Sequence, residues 1–327
     1  MKKFLESPAD LVPDSVSGLV LAHADLLQAN PDPLFVFRRT PKTDKVAIVS
    51  GGGSGHEPLH TGYVGPGMLD AACPGEVFTA PSPDQIVEAA TRVEAGRGVL
   101  FIVKNYAGDC ASFNVASEMV DIDHATVLVN DDVAVENSLH SAGRRGVAGT
   151  LVVEKIVGAA AEAGASLARC KAIGDHVNAN TATMAVAFTS CTVPEAGAPT
   201  FEIGESDMEI GVGIHGEPGR YRSPMMSANV IVGLLLDAIL KDLDLAPGRR
   251  VLLLVNGFGG TPLIELHLLN RLATNRLDEI GLQVERWLVG NYASSLEMAG
   301  ASLTLTALDD EMLQLWDAPV HTASLRS

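Results

Sequence analysis

The sequence predicts an α/β protein with two α/β domains, which have mixed or mainly parallel sheets and Gly-rich loops at the strand ends. Short apolar runs alternate with segments of helical periodicity, the pattern of βαβ units. Several of these runs end abruptly in glycine and polar residues. The chain has 327 residues, which is long for one hydrophobic core. We therefore predict an N-terminal domain over residues 1–190 and a C-terminal domain over residues 191–327.

Composition narrows the classes of function. The net charge is −17, with 23 Lys and Arg against 40 Asp and Glu, so long-range attraction to nucleic acid or to an anionic membrane has the wrong sign. No apolar run reaches the roughly 18 residues that a membrane-spanning helix needs. Acidic residues interrupt the first 20 positions, where a signal peptide would be apolar. We expect a soluble cytoplasmic protein that binds small molecules and other proteins.

The four cysteines are widely separated and form no C-x-x-C pair. This spacing predicts neither a zinc site nor a disulfide framework, and we expect no bound metal. The four are Cys73, Cys110, Cys170 and Cys191.

The most informative stretch is KVAIVSGGGSGHEPLH at residues 45–60. Its β-branched run at 46–49 predicts a short buried strand. Four glycines in positions 51–55 predict a loop, because glycine permits positive φ and close approach of a ligand to backbone N–H groups. His56 is the first titratable side chain after the strand, where an open α/β sheet usually places its chemistry. A plain tight turn with a surface histidine is the alternative, and the glycine density favours a site.

The next apolar run, VLFIV at 99–103, also ends in polar residues, among them Lys104 and Asp109. A helix is predicted from about residue 110. Asp109 is therefore either the N-cap of that helix or a site residue at a strand end, and both interpretations stay open.

A third apolar run, at 125–129, ends in Asn130, Asp131 and Asp132. Paired carboxylates can bind a divalent metal, but capping the next segment or facing solvent is the favoured interpretation. The segment 143–146 then holds two arginines between glycines.

The second half repeats this logic after the Pro- and Gly-rich segment CTVPEAGAP. MEIGVGI at 208–214 predicts a strand that leads to His215. The glycines at 211, 213 and 216 satisfy G-x-G-x-x-G, but Pro218 and Pro224 prevent the helix that a dinucleotide fingerprint requires. The chain has no Gly-Lys pair for a Walker A loop and no G-x-S-x-G of a serine hydrolase.

The other predicted elements follow from periodicity and capping residues. Residues 62–75 are expected to form an ordered active-site loop. Further helices are predicted over 15–28, 83–95, 150–163, 166–178, 228–243 and 311–316, and further strands near 185 and over 251–255, 282–289 and 301–307.

Several long motifs resemble the dihydroxyacetone kinase family, specifically its substrate-binding K subunit. They are SGGGSGHEPLHTGY, ACPGEVFTAP, VKNYAGD, NDDVAV, AGRRGVAGT, GVGIHGEPG and LWDAPVHT. The resemblance runs from about residue 15 to the end of the chain. The ending LWDAPVHT is more similar to the separate subunit of the multi-component, phosphotransferase-system-dependent kinases than to the single-chain enzymes that use ATP.

The resemblance implies a role for each motif residue. His215 would form a covalent hemiaminal with the substrate carbonyl, and His56 with Asp109 would be the acid/base pair at the phosphorylated hydroxyl. A neutral imidazole is a competent nucleophile toward a ketone near neutral pH, and a carbonyl adduct selects short ketoses over glycerol. The substrate-binding residues would be Gly53, Ser54, Gly55, His56, Lys104 and Asp109.

The resemblance also implies partners. ADP or ATP and Mg would be held by a separate L-type subunit, recharged from a phosphotransferase-system protein, and this chain would bind no cofactor itself. Like the family subunit, the chain would form a homodimer.

Two positions depart from the family pattern. Ala107 stands where the family commonly has threonine in KNYTGD, and Ser223 stands where a second arginine is usual before Pro224. Substrate identity and partner docking are therefore open. The alternatives to a dihydroxyacetone kinase subunit are a dihydroxyacetone-sensing coactivator of a transcription factor and a kinase subunit for a longer ketose such as erythrulose.

Overall fold

The computed structural model describes residues 2–134 and 143–327 and contains two six-stranded sheets with helices packed around them. Strand order is β1-β2-β4-β3-β5-β6 in the first sheet and β11-β10-β12-β7-β8-β9 in the second. The strands of the first sheet are β1 (Leu27–Pro31), β2 (Leu34–Arg38), β3 (Ala47–Ser54), β4 (Ala71–Val77), β5 (Val99–Lys104) and β6 (His124–Val129). Those of the second are β7 (Thr181–Ala187), β8 (Asp207–Ile210), β9 (Tyr221–Pro224), β10 (Arg250–Gly257), β11 (Gln283–Gly290) and β12 (Gly300–Ala307).

The predicted mixed α/β class is confirmed, but the two sheets differ in direction. In the first sheet β3 runs parallel to β4 and β5, and β5 runs parallel to β6. In the second sheet only the pairing of β10 with β11 is parallel, and the other four pairings are antiparallel. Alternation of strands and helices along a chain does not fix strand direction, so this difference was not predictable from the pattern.

The predicted helices agree with the structure to within a few residues, with one exception, and α7 (Leu263–Glu279) was not predicted. The segment 15–28 was predicted as one helix, but α1 ends at Ala22 and a β1–β2 hairpin follows, which propensity does not indicate because β1 contains Asn30 and Pro31. The helices are α1 (Leu11–Ala22), α2 (Pro83–Val93), α3 (Ala107–Met119), α4 (Gly149–Glu162), α5 (Leu167–Ala179), α6 (Ala228–Leu243), α7 (Leu263–Glu279) and α8 (Asp310–Trp316).

The glycine stretch is a strand and not the predicted loop. Strand β3 continues through Ser54, and Gly51, Gly52 and Gly53 pair with β4 in parallel register. Glycine is required there by close packing, since a Cβ at Gly51 would lie 2.6 Å from the carbonyl oxygen of Cys73. Only Gly55, which follows the strand, has the left-handed φ of +98° that motivated the loop prediction. Likewise, the predicted loop 62–75 runs into strand β4.

The two sheets share buried contacts along α4. This helix is buried over nearly its whole length, and its apolar residues join one cluster with Ile48 and Leu100 from the first sheet and Leu252 and Leu254 from the second. Strand β7 precedes residue 190 yet pairs in the second sheet. The division at 190 and 191 stays a prediction, and the sheets themselves divide the chain before β7.

Candidate active site

The predicted site residues converge because two neighbouring parallel strands end at the same edge of the first sheet. Strand β3 leads to His56, while β5 ends at Lys104 and is followed by Asp109 in the first turn of α3. The loop after β8 brings His215 from the second sheet to the same place. The ring centroids of His56 and His215 are 4.7 Å apart. The structure therefore brings together residues that the sequence places in three separate motifs.

His215 is held with one ring nitrogen engaged. Its Nδ1 lies 2.8 Å from Oε1 of Glu217, and its backbone N–H donates to Oε2 of the same carboxylate. Burial alone would raise the pKa of Glu217, but His215 and Arg145 lower it to about 2, so this acceptor stays charged. In the neutral imidazole Nδ1–H donates a hydrogen bond to Glu217, and Nε2 keeps its lone pair. The side chain is 20% exposed, so a ligand can reach it.

His56 is a buried neutral base. Its Nδ1 donates to the carbonyl oxygen of Ser294 at 2.8 Å, which leaves the lone pair on Nε2. Burial, together with the charges of His215 and Lys104, lowers the pKa of His56 well below its ordinary value. Among the described residues Nε2 has no hydrogen-bond partner. A buried nitrogen with a free lone pair can accept a proton from a bound hydroxyl group.

Lys104 and Asp109 form a buried ion pair at 3.4 Å between Nζ and Oδ2. The interpretation of Asp109 as an N-cap is wrong, because α3 begins two residues earlier and Tyr106 occupies the N-cap position. Asp109 is only 5% exposed. A carboxylate buried in the first turn of a helix is stabilised by the helix dipole, and here it also faces an ammonium group.

A cavity of about 520 Å³ opens over these residues. Gly53, Asp109 and His215 line it, whereas His56 and Lys104 do not and are 1% exposed each. Ser54 and Gly55 line a neighbouring cavity of about 570 Å³, and the Ser54 hydroxyl donates to the carbonyl of Gly75. Contacts of Ser54 and Gly55 with a substrate therefore stay predictions.

Two aromatic rings in the site were not predicted as site residues, although Phe78 stands in the motif ACPGEVFTAP and Tyr106 in VKNYAGD. Phe78 stacks on His56 at 4.9 Å, and Tyr106 meets His215 edge-on at 4.6 Å. Glycines make room for Phe78, since a Cβ on Gly53 would lie 2.8 Å from its Cα and a Cβ on Gly55 would lie 2.8 Å from its ring. Each imidazole is thus packed against an aromatic ring.

The paired carboxylates after β6 have structural roles. Asp131 accepts the backbone N–H groups of Val147 and Gly149 at the start of α4, which agrees with the capping interpretation. Asp132 pairs with the buried Arg145 at 2.7 Å. Over residues 2–134 and 143–327 no group of His, Cys, Asp or Glu has the arrangement of a metal site. Position 135, the last residue of NDDVAV, lies outside the described residues.

Comparison with known proteins agrees with this geometry. The Dak1 domain model matches residues 17–324. The chain belongs to the Dak1 family. It is 48% identical to the dihydroxyacetone-binding subunit DhaK of PTS-dependent dihydroxyacetone kinase 1 from Listeria innocua, over 98% of this chain and 99% of that one.

Two solved structures share the Dak1 fold of this chain. A dihydroxyacetone kinase operon co-activator, Dha-DhaQ, superposes with a TM-score of 0.90 at 32% identity, over 95% of this chain and 97% of the other. The native dihydroxyacetone kinase of C. freundii gives a TM-score of 0.89 at 32% identity. That alignment covers all of this chain and 60% of the kinase.

The two departures from the Dak1 pattern fall in different places. Ala107 lines the 520 Å³ cavity, next to Asp109 in the first turn of α3. Ser223 lies in β9 at the edge of the second sheet, where its hydroxyl donates to the carbonyl of Pro224. Ala107 can therefore contact a ligand in the cavity, whereas Ser223 lies on an edge strand and does not line that cavity. In the described part of the chain no helix is long and apolar enough to cross a membrane.

Proposed function

We propose that this chain is the dihydroxyacetone-binding subunit of a PTS-dependent dihydroxyacetone kinase, and that it holds the ketose covalently on His215 during phosphoryl transfer. The observation that carries the proposal is a pair of neighbouring histidines, one placed to act as a nucleophile and the other as a base. His215 presents Nε2 at the cavity with Nδ1 held by Glu217, and His56 keeps a bare Nε2 beside it. Full-length similarity to a subunit of that name supports the assignment.

The covalent step balances within the site. The Nε2 lone pair of His215 forms a bond to the carbonyl carbon, and the carbonyl π electrons move to oxygen. The Nδ1 proton of the ring is transferred through solvent to that oxygen, so no proton is gained or lost overall, Glu217 remains charged, and the hemiaminal carries the full mass of the ketone. A permanently charged Glu217 offsets the positive charge that develops on the ring.

Phosphoryl transfer then requires alignment and a base. The bond to His215 fixes the central, carbonyl-derived carbon of a three-carbon ketose, which restricts the positions that its terminal hydroxyl groups can take. His56 and Asp109 are the groups we assign to the hydroxyl that accepts the phosphoryl group. His56 accepts its proton in the neutral form, and Asp109 lies 3.4 Å from the ammonium group of Lys104.

The first prediction concerns the phosphoryl donor, which we place with Mg on an L-type partner that carries ADP or ATP. The purified chain should bind dihydroxyacetone but neither hydrolyse ATP nor phosphorylate the ketose. Addition of the phosphorylated partner should give dihydroxyacetone phosphate, measured by a coupled assay. Robust ATP-dependent turnover by the chain alone would contradict the two-component assignment.

The second prediction concerns assembly, because we infer a homodimer. Light scattering should give about twice 34.2 kDa at micromolar concentration. A mass equal to one chain under those conditions would refute the dimer while leaving the assignment of the site intact.

A sensor function is the second candidate. The similarity to a structure named as an operon co-activator supports it, but at lower identity than the kinase subunit. A gene for an L-type subunit beside this one favours the kinase, and a regulator gene without an L-type subunit favours the sensor. Ala107 in the cavity wall keeps a longer ketose such as erythrulose as a substrate to be assayed beside dihydroxyacetone.

A further inference from the structure

A line of four buried titratable side chains leads from the active site into the core. Asp109 Oδ2 lies 3.4 Å from Lys104 Nζ, which lies 2.8 Å from Nε2 of His60. Nδ1 of His60 lies 2.6 Å from Oε1 of Glu154. Lys104, His60 and Glu154 are 1%, 4% and 0% exposed. The line therefore connects the end of β5 with the middle of the central helix α4.

The direction of the hydrogen bonds follows from the groups themselves. Burial, with the charges of Lys104 and His56, lowers the pKa of His60 well below its ordinary value, so its ring is neutral and carries one N–H. An ammonium group has donors only, so Nε2 of His60 must accept from Lys104. The ring proton must then be on Nδ1, where Oε1 of Glu154 at 2.6 Å is the nearer acceptor. Oγ of Ser50 lies 3.0 Å from the same nitrogen and donates its own proton to the carbonyl of Ile102. The carboxyl of Glu154 thus selects the tautomer that gives Lys104 its acceptor.

We propose that Glu154, acting through His60, is a positioning residue of the active site that holds the ammonium group of Lys104 against Asp109. The proposal rests on the function proposed above. Without the Glu154 carboxyl, His60 is free to put its proton on Nε2, which faces Lys104 as a second donor. Lys104 would then turn away from β3, where a Cβ at Gly52 would already collide with its Nζ.

Packing alone does not account for an acid at position 154. Glu154 lies among the apolar residues of α4, and Leu151, Val153 and Val157 around it are fully buried. Its Oε2 is buried without a partner among the described residues. A buried carboxyl group with an unsatisfied oxygen destabilises a fold relative to an apolar side chain of similar size. What the acid gains is hydrogen bonding within the polar cluster, where its Oε1 lies 2.6 Å from Nδ1 of His60 and Ser50 is a second neighbour.

The titration of Glu154 gives the proposal a signature. Burial raises the pKa of Glu154 to about 8, and a hydrogen bond with Ser50 and the charge of Lys104 oppose this rise. Tyr63, at the end of the short 3-10 helix Thr61–Tyr63, faces the same carboxyl, and His56 faces His60. As the pH rises through about 8, Glu154 becomes charged and holds the Nδ1 proton more strongly. The pH–rate profile of turnover should therefore show a limb that rises as the pH passes through this value.

The decisive variant is Glu154→Gln, which keeps the shape and removes the titration. We expect kcat to fall roughly 10-fold, because a partner behind an active-site group typically contributes that much, with KM for the ketose nearly unchanged. The rising limb should disappear, and the adduct on His215 should still form. The matched control is Glu162→Gln, which removes a partly buried acid from the same helix. Glu162 pairs with Arg38 and not with His60, so this variant should keep the rising limb of the pH–rate profile. Unchanged kcat and pH profile in Glu154→Gln would overturn the proposal.

Two further measurements cover failure of that variant to fold and failure of the proposed function. His60→Gln should lose the same limb, and in the double variant the two losses should not multiply, since both residues act through one chain of hydrogen bonds. Multiplicative losses would refute the coupling. The ¹⁵N spectrum of His60 reports its tautomer with neither partner nor substrate present. We expect the proton on Nδ1, and a proton on Nε2 would overturn the proposal whatever the substrate proves to be.

Discussion

His215→Ala should abolish the covalent adduct with dihydroxyacetone. In the wild-type chain the ketose should add its full mass, about 90 Da, in intact-protein mass spectra, because addition to a carbonyl releases no water at the hemiaminal stage. Ketose labelled with ¹³C at the carbonyl should show that carbon changing from a ketone to an sp³ signal. Both signals should vanish in His215→Ala, and turnover with the partner subunit should fall by roughly 10³-fold or more as the fixed orientation is lost.

The control is His267→Ala, which removes an exposed imidazole from α7 in the second sheet layer. It should keep both adduct signals and turnover. If the adduct survived His215→Ala and vanished in His56→Ala, the assignment of His215 as the nucleophile would be wrong and His56 would be the nucleophile. The geometry argues for His215, because Glu217 engages only its Nδ1 and the residue lines the cavity. His56, in contrast, is 1% exposed.

The parts of this fold that local patterns determine were predictable. Helix α6 occupies the predicted residues 228–243, and Ser82 makes the capping box that begins α2 at Pro83. The glycines of β3 were mistaken for a loop, because glycine is suited both to positive φ and to close packing of strands. Only the neighbouring backbone of Cys73 and Thr79 decides between these two reasons.

The candidate site was predictable only where a motif carried it. His56 and His215 follow strands of different sheets, and no spacing rule indicates that their rings meet. The pair His60 and Glu154, 94 residues apart, had no local signal, because a histidine after a proline and an acid within an apolar helix each look like a surface residue. Long-range pairs of this kind depend on how the turn after β3 packs against α4, which only the tertiary structure specifies.

Asp109→Asn and His56→Ala should separate binding from chemistry in the opposite sense to His215→Ala. Both variants should keep the adduct, since His215 and Glu217 are untouched. Turnover should fall roughly 10²-fold or more, because proton transfer in the transition state is the step that these groups would assist. The matched control is Asp84→Asn, which also removes an acid from the first turn of a helix, but at an exposed position of α2.

The pH dependence distinguishes the two residues. Burial and the charges of His215 and Lys104 lower the pKa of His56 well below the ordinary 6.5, and a base must be unprotonated to act. Wild-type turnover should therefore persist as the pH falls through 6.5 and decline only at lower pH, when His56 becomes protonated. This acid limb should be absent in His56→Ala and remain in Asp109→Asn. An acid limb that His56→Ala retains would assign the proton transfer to Asp109 alone, with His56 serving only to support the rings of Phe78 and His215.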